Sequence, residues 1–521
     1  MSNKTLRPSF PSVSPKTDEL QFFFRLVPVF LGIRLIYAAI VQLIPDEAFY
    51  WTWTRHLAAG YFDHPPMIAY LMWLGIRAVG SVEIGVRLMA VLMALGAMVI
   101  VVRLSRRVLG DPRAAVWVAV IWLTSPLLAG LANFFTPDTP AAFFSVCALS
   151  VAVLIAHRDD QSDPSPASWK HPAGLWLLFG LFTGLALLSK YTAVLLPGSV
   201  ALAMLFSRKG LAHYRRPWIY LGGILSLVVF LPDIWWNYTH QWASFRFQLF
   251  HGMENESAPS SSAGEAFARF WTDVGTYLGG QAGIWTPVLF GLTILVLIVY
   301  WRRYKKTTQV ERVLFWSATL PLVFFGITFL KSHHGEANWP AFAYFPASML
   351  IARWLSENWN GVRLRFAHAG VQIALGVLVV MHVILIPPVT RWMINLPYHL
   401  PHALTDLTGW REYARAVANE ANQSGVPVVT NRHEDAGELA FYMPGQPDVW
   451  CVGVGSRATA FDYFDEQPDF PKMPSLLWVG GHVEAFEKMY GYTVQRQTNV
   501  LFFSGRNERR IVMYLLTRPS R

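Results

Sequence analysis

Apolar runs long enough to cross a bilayer fill the first three quarters of the chain. A spanning helix needs about 20 mainly apolar residues, and about eleven stretches meet that requirement. They fall near 21–44, 84–102, 114–132, 139–156, 173–189, 191–207, 217–236, 283–300, 313–330, 339–355 and 369–388. The stretch from Pro66 to Val79 is apolar but short, so it reads as a further span or an interfacial helix. The first run is longer than the core of a signal peptide, about 7 to 15 residues, and is expected to remain as a span. After about residue 389 the pattern changes. GVPVVTN, DVWCVGV, SLLWVGG and VLFFSG read as short strands, and GWREYARAVANEA and VEAFEKMYG as amphipathic helices. Alternating strands and helices predict a small α/β domain. The expected fold is therefore an all-α polytopic membrane protein with a C-terminal α/β domain: a tail over 1–20, a transmembrane domain over 21–388 and a soluble domain over 389–521. Neither GxGxxG nor GxxxxGK(S/T) occurs in that last domain, so no nucleotide cofactor is expected.

Composition agrees. Of 521 residues, 53% are hydrophobic and only 15% charged, whereas soluble domains carry roughly 25% charged residues. The net charge of +10 would suggest nucleic acid in a soluble protein. Here the basic residues fall in alternate loops, as cytoplasmic loops of membrane proteins do, so no nucleic-acid partner is expected. With Lys4, Arg7 and Lys16 in the cytoplasm, Arg103 to Arg113, Arg208 to Arg216 and Arg302 to Lys306 lie in inner loops. Cys147 sits in an apolar run and Cys451 in the polar tail, a placement that argues against a disulfide between them. The chain has no convincing internal repeat, and Ser257 to Ala263 (SAPSSSA) reads as a mobile loop.

This partition puts every acidic, histidine and amide cluster on one membrane face. Pro45-Asp46-Glu47 follows directly on the first span; the two acids either cap a helix or carry chemistry. Phe49, Trp53 and Leu57 recur at intervals of four, giving a face suited to the bilayer surface. In Gly60-Tyr61-Phe62-Asp63-His64-Pro65-Pro66 the acid and imidazole form a turn between helices, or bind a metal or phosphate. Asp138, before Thr139 and Pro140, is a helix cap or a site carboxylate. Lys331-Ser332-His333-His334-Gly335-Glu336-Ala337-Asn338 is a polar knot between two spans. Its histidines and Glu336 suit a divalent metal, although adjacent histidines do not easily share one, and a hydrogen-bonded loop is the other reading. Lys190, between two apolar runs, faces a polar cavity or snorkels to the interface.

The run PDEAFYWTWTRHLAAGYFDHPPMIAYLMWLG resembles the first outer loop of bacterial members of the protein O-mannosyltransferase superfamily. These are membrane glycosyltransferases of the GT-C fold that include the aminoarabinose and galacturonic acid transferases of lipid A and lipopolysaccharide core. FFTPDTPAAFF, GLALLSKYTAVLLPG and KSHHGEANWPAFAYFP are similar to later segments of the same family, in the same order. The likeness covers about residues 20 to 355. It implies a GT-C fold with about 11 to 13 transmembrane helices in the bacterial inner membrane, with the site and the C-terminal domain facing the periplasm. It also implies transfer of a sugar from a polyprenyl-phosphate donor to a lipid or glycan acceptor, most simply lipid A or lipopolysaccharide core, amid membrane lipids.

By that resemblance Asp46 is the general base toward the acceptor hydroxyl, with Glu47 as its catalytic neighbour. Asp63 and His64 occupy the place where the aminoarabinose transferases usually have Glu-Lys before a proline, the lysine contacting the lipid phosphate. His64 is a weaker, pH-dependent cation, which moves that role toward Lys331 and Lys190. Asp138, His333, Glu336 and Asn338 complete the expected donor or acceptor site, and a divalent metal on Asp63 and His334 would assist the departing phosphate. One base and no covalent nucleophile imply inversion at the anomeric carbon. A lipid-linked sugar transporter is the competing class, but transporters gather polar groups near the midplane rather than at one face. A protein Ser/Thr acceptor and a membrane-anchored scaffold whose tail does the work are the remaining alternatives.

Overall fold

The computed structural model describes residues 18–161, 172–251, 262–333, 335–357, 362–394, 406–454, 457–466, 468–504 and 507–518. The helical part begins with α1 (Asp18–Ile40), α2 (Pro45–Trp53), α3 (Met67–Val79), α4 (Glu83–Val108), α5 (Pro112–Thr124), α6 (Pro126–Asn133) and α7 (Asp138–Gln161). It continues with α8 (Pro172–Leu187), α9 (Leu195–Leu205), α10 (Arg208–Leu211), α11 (Pro217–Thr239), α12 (Ala243–His251), α13 (Ala263–Trp285) and α14 (Pro287–Arg302). Last come α15 (Gln309–Ser332), α16 (Tyr344–Glu357), α17 (Val362–Leu385) and α18 (Pro387–Ile394). Proline at the first helical position opens α2, α5, α6, α11 and α14, where its missing N–H costs nothing and its fixed φ favours the helix.

Among the described residues four helices are long and apolar enough to span a membrane: α4, α7, α11 and α15. The total rises to nine if each sharply bent pair counts as one span. Fewer spans stand out than the eleven expected from the sequence because several apolar runs break at a proline or a short 3-10 turn. The run over 191–207, for instance, is a 3-10 turn (Tyr191–Val194) followed by α9. Where α8 crosses α11 the backbones nearly touch: a Cβ on Gly180 would lie 1.9 Å from the carbonyl oxygen of Gly222. Glycine permits this approach, which any side chain would prevent.

The C-terminal part holds α19 (Trp410–Ser424), α20 (His433–Tyr442), α21 (Val483–Tyr490) and five strands: β1 (Val428–Thr430), β2 (Trp450–Cys451), β3 (Ser475–Val479), β4 (Thr493–Ser504) and β5 (Asn507–Thr517). The sheet order is β2-β1-β3-β5-β4, parallel across β2, β1 and β3 and antiparallel across β3, β5 and β4. All four expected strands and both expected helices are present. Helix α20 and strand β5 were not anticipated, and the expected boundary at residue 389 falls inside α18.

Helix α20 is the contact between the two parts. A Cβ on its Gly437 would lie 2.6 Å from the Ala48 carbonyl carbon and the Phe49 nitrogen of α2. One hydrophobic core therefore runs through both, with Phe49, Trp51 and Trp53 packed among Trp410, Tyr413, Leu439, Phe441 and Phe461. This corrects the expectation that Phe49 and Trp53 face the bilayer: they are 2% and 0% exposed, and only Leu57 of that face stays open. Polar contacts reinforce the seam. The Leu43 N–H donates to the Tyr442 hydroxyl (2.8 Å), the Trp410 N–H to Gln42 Oε1 (3.1 Å), Arg55 pairs with Asp448 (2.8 Å), and Arg411 pairs with Glu83.

Beneath the seam lies a fully buried ion pair. Arg87 of α4 donates from Nε and Nη2 to the two Glu47 oxygens (2.8 and 2.5 Å) and from Nη1 and Nη2 to the carbonyls of Val41 (2.6 Å) and Gln42 (2.8 Å). Glu47 also accepts from the N–H groups of Phe135 (2.8 Å) and Ile44 (3.2 Å). Removing one partner of such a pair leaves an uncompensated buried charge and costs about 3–5 kcal/mol. Arg87→Met is expected to lower the unfolding temperature in detergent sharply, and the double variant Glu47→Met/Arg87→Met to recover part of the loss. Gly437→Ala is expected to cost about 1–3 kcal/mol by forcing backbones apart. An unchanged unfolding temperature would show that α2 and α20 are not in contact in solution.

Candidate active site

The loop and helix that follow α1 carry the centre of the site. Helix α2 has only nine residues and lies at 85° to α1, so it runs across the end of the bundle under α20 rather than along a span. Tyr61 pins the following loop: its hydroxyl donates toward the carbonyls of His56 (2.9 Å) and Trp53 (3.2 Å) and accepts from the Ala58 N–H (3.0 Å). Its ring stacks on Trp53 at 4.2 Å.

The two expected catalytic acids separate sharply. Glu47 is 0% exposed and every hydrogen bond it makes is with Arg87 or backbone. It is a structural anchor and does not face a substrate. Asp46, its neighbour, is exposed and makes no hydrogen bond or ion pair among the described residues. The surrounding protein, together with the charges of Glu434, Glu47, Asp63 and Glu336, pushes the Asp46 carboxyl up to about 6. A carboxylate held there can take a proton near neutral pH.

Asp138, Lys190 and Asn338 come together from three distant segments. Lys190 Nζ lies 2.7 Å from Asp138 Oδ1, and the Asn338 amide donates to Asp138 Oδ2 at 3.0 Å. Lys190 therefore neither snorkels nor stands as a lone cation. Tyr50 joins this group to Asp46. It is 6% exposed, and burial with the nearby charges of Asp46, Asp63 and Asp138, opposed by Arg457, holds its phenol well above the ordinary tyrosine range. It stays protonated, a hydrogen-bond donor. The His64 ring lies 6.0 Å from that of Tyr50.

Other expected residues sit less centrally. His333 caps α15 in the left-handed region (φ 57°) and contacts Asp273 of α13 through Nδ1 at 2.6 Å. Lys331 and Glu336 are exposed, and Glu336 belongs to the site through its field on Asp46. His334 lies outside the described residues.

Asp63, one of the two proposed metal ligands, is committed to other partners. Asp63 is 3% exposed, with Oδ1 bound by Arg457 Nη1 at 2.6 Å and Oδ2 by the Ala460 N–H at 3.0 Å. Among the described residues no group of three or more His, Cys, Asp or Glu is placed to hold an ion.

The sequence reading missed Arg87, Tyr50, Arg457 and Glu434. An arginine inside the apolar run VEIGVRLMAVLM carries a signal, because a buried arginine in a span demands a carboxylate partner. Tyr50 lay within the quoted run without distinguishing chemistry. Arg457 and Glu434 sit in the tail, where nothing in local spacing points back to the first loop.

Comparison with known proteins places this geometry. A profile of the family described as dolichyl-phosphate-mannose-protein mannosyltransferase matches residues 63–236. Lipid A galacturonosyltransferase RgtD of Rhizobium johnstonii is 25% identical over 408 residues, 76% of each chain. An undecaprenyl phosphate-alpha-4-amino-4-deoxy-L-arabinose arabinosyl transferase of Pseudomonas savastanoi is 23% identical, covering 70% of this chain and 67% of its own. The fold matches the crystal structure of apo ArnT from Cupriavidus metallidurans with a TM-score of 0.61 and 17% identity, over 96% of this chain and 98% of that one. The same protein bound to undecaprenyl phosphate gives 0.58 over the same shares. In sequence and in fold, this chain resembles the GT-C membrane glycosyltransferases that modify lipid A.

Proposed function

We propose that this protein is a glycosyltransferase that moves a sugar from a polyprenyl-phosphate carrier to lipid A or lipopolysaccharide core. The observation that carries the reading is Asp46: among the described residues it has no hydrogen-bond or ion-pair partner, it opens to solvent, and burial raises its basicity. The likeness to enzymes that use undecaprenyl-phosphate sugars supplies the substrate class. A carrier of this kind needs no nucleotide pocket.

In the reaction Asp46 takes the proton of an acceptor hydroxyl as its oxygen attacks the anomeric carbon. The bond from that carbon to the bridging oxygen of the carrier phosphate breaks on the opposite side, the electron pair stays on that oxygen as the lipid phosphate leaves, and the anomeric configuration inverts. Tyr50 stands beside Asp46 as a donor to the sugar or acceptor. The Asp138–Lys190–Asn338 group orients sugar hydroxyls, and His64 and Lys331 lie toward the carrier. No step runs through a metal, because Asp63 is already committed. The site and the C-terminal domain face the periplasm, with residues 1–20 as a cytoplasmic tail, and the chain lies in the bacterial inner membrane; the basic loops at the opposite side support this orientation.

A positioned general base contributes roughly 10²–10⁴-fold, and Asp46→Asn is expected to lose turnover on that scale while keeping the unfolding temperature. The base works deprotonated, so kcat/KM is expected to fall about tenfold per pH unit below about 6 and to level off above it. Mass spectrometry of lipid A, core oligosaccharide and prenyl-phosphate sugars from cells carrying each form checks the assignment. Loss of one sugar mass with build-up of its carrier-linked donor is the expected result. Unchanged glycans and donor pools in the Asn variant would overturn it.

A further inference from the structure

A reaction that expels a lipid phosphate needs a cation at the leaving group, and two cations at this end of the bundle are already engaged. Arg87 is buried on Glu47 and Lys190 is paired with Asp138. The C-terminal part supplies a further cation. Arg457 reaches across to Asp63, and its side chain remains 43% exposed.

Three segments hold this guanidinium still. Nη1 donates to Asp63 Oδ1 (2.6 Å) and to the Ala458 carbonyl (3.1 Å), and the group lies over the Phe247 ring at 4.7 Å. Asp63 is itself fixed by the Ala460 N–H, and Gln248 donates to the Asp63 carbonyl at 2.5 Å. Phe62 packs against Phe247 (4.8 Å) and Tyr463 (5.2 Å) beneath. Of the five guanidinium donors, those on Nε and Nη2 have no partner among the described residues. That edge is the one that forms paired hydrogen bonds with the oxygens of a phosphate. Its field reaches Tyr50, which in turn feels Asp46.

We infer that Arg457 is a phosphate-binding residue of the transfer site, so that the C-terminal part completes the site rather than merely covering it. The ligand is a lipid-borne phosphate ester, a chemistry shared by a polyprenyl-phosphate carrier and by a phosphorylated acceptor lipid. Asp63 is then the positioning residue that aims the guanidinium. This inference rests on the proposed glycosyl transfer.

The test uses the full chain in lipid nanodiscs. Retention of undecaprenyl phosphate, and separately of lipid A, is measured by native mass spectrometry for wild type, Arg457→Gln, Arg457→Lys and Arg411→Gln. The last variant breaks a different tie across the same seam, Arg411 to Glu83. Loss of a charge-assisted phosphate contact is expected to weaken binding of one lipid about 10- to 100-fold in Arg457→Gln. Arg457→Lys, which keeps the charge and loses the fork, should fall between, and Arg411→Gln should bind as wild type. The lipid whose binding falls names the source of the phosphate. Equal binding by wild type and Arg457→Gln would overturn the inference alone, as would an equal loss in Arg411→Gln, which would mark a purely structural role. Failure of wild type to retain either lipid would overturn the proposed function itself.

Discussion

Arg87 lies within an otherwise apolar helix, and its guanidinium meets Glu47 and the carbonyls of Val41 and Gln42 with no water between them. A charge placed there without those partners would cost several kcal/mol, so the chain leaving α1 must turn at Val41 and Gln42 and enter α2 at the angle that brings Glu47 to it. Phe135, whose N–H reaches the same carboxylate, locks the segment before α7 into register. Asp46 is thereby turned outward, and Asp138 is brought to the same end of the bundle. Glu438 lies near this pair, fully buried with neither oxygen hydrogen-bonded among the described residues, and burial holds it well above the usual carboxylate range. Burial first, and then the negative charge of Glu47, disfavour its ionised form.

The site is a composite of distant pieces. Helix α2 gives the proposed base, the α7 and α8 ends with the loop after α15 give the Asp138–Lys190–Asn338 group, and the C-terminal part gives Glu434 and Arg457. Its many carboxylates do not act alike. Glu47, Asp63 and Asp138 are matched by Arg87, Arg457 and Lys190, and each match fixes geometry. Asp46, without an ion-pair partner among the described residues and with its carboxyl raised to about 6, is the proposed base. Burial and pairing thus divide one residue type into scaffold and reagent.

Much of this could be read from the residues themselves. Apolar runs located the helices, strand-length runs located four of five strands, and three of the polar clusters bring Asp46, Asp63 and Asp138 near enough to act on Tyr50. The roles of adjacent residues could not be read so easily. Asp46 and Glu47 are chemically similar and next to one another, and only the position of Arg87 in space decides which is buried. Asp63 read as a ligand because its partner, Arg457, is almost the whole chain away. Phe49 and Trp53 carried the periodicity of a lipid-facing helix, since an apolar face reads the same whether lipid or protein covers it. Helix α20, with His433, Glu434 and Asp435 at its start, lacks the strong apolar stripe that marked its neighbours.

The contact between Gly437 and the backbone of Ala48 and Phe49 also orders events during synthesis. The loop that bears Asp46 emerges among the first segments, and the helix that roofs it emerges hundreds of residues later. Until that helix arrives, the aromatic face of α2 has no cover and Asp46 stands in open water as an ordinary, weakly basic carboxylate. A nascent or prematurely ended chain therefore sits in the membrane without a working centre. In the proposed transferase the groups that α20 and Arg457 bring to Asp46 are absent until the distal domain is delivered, so a half-made chain lacks part of its site.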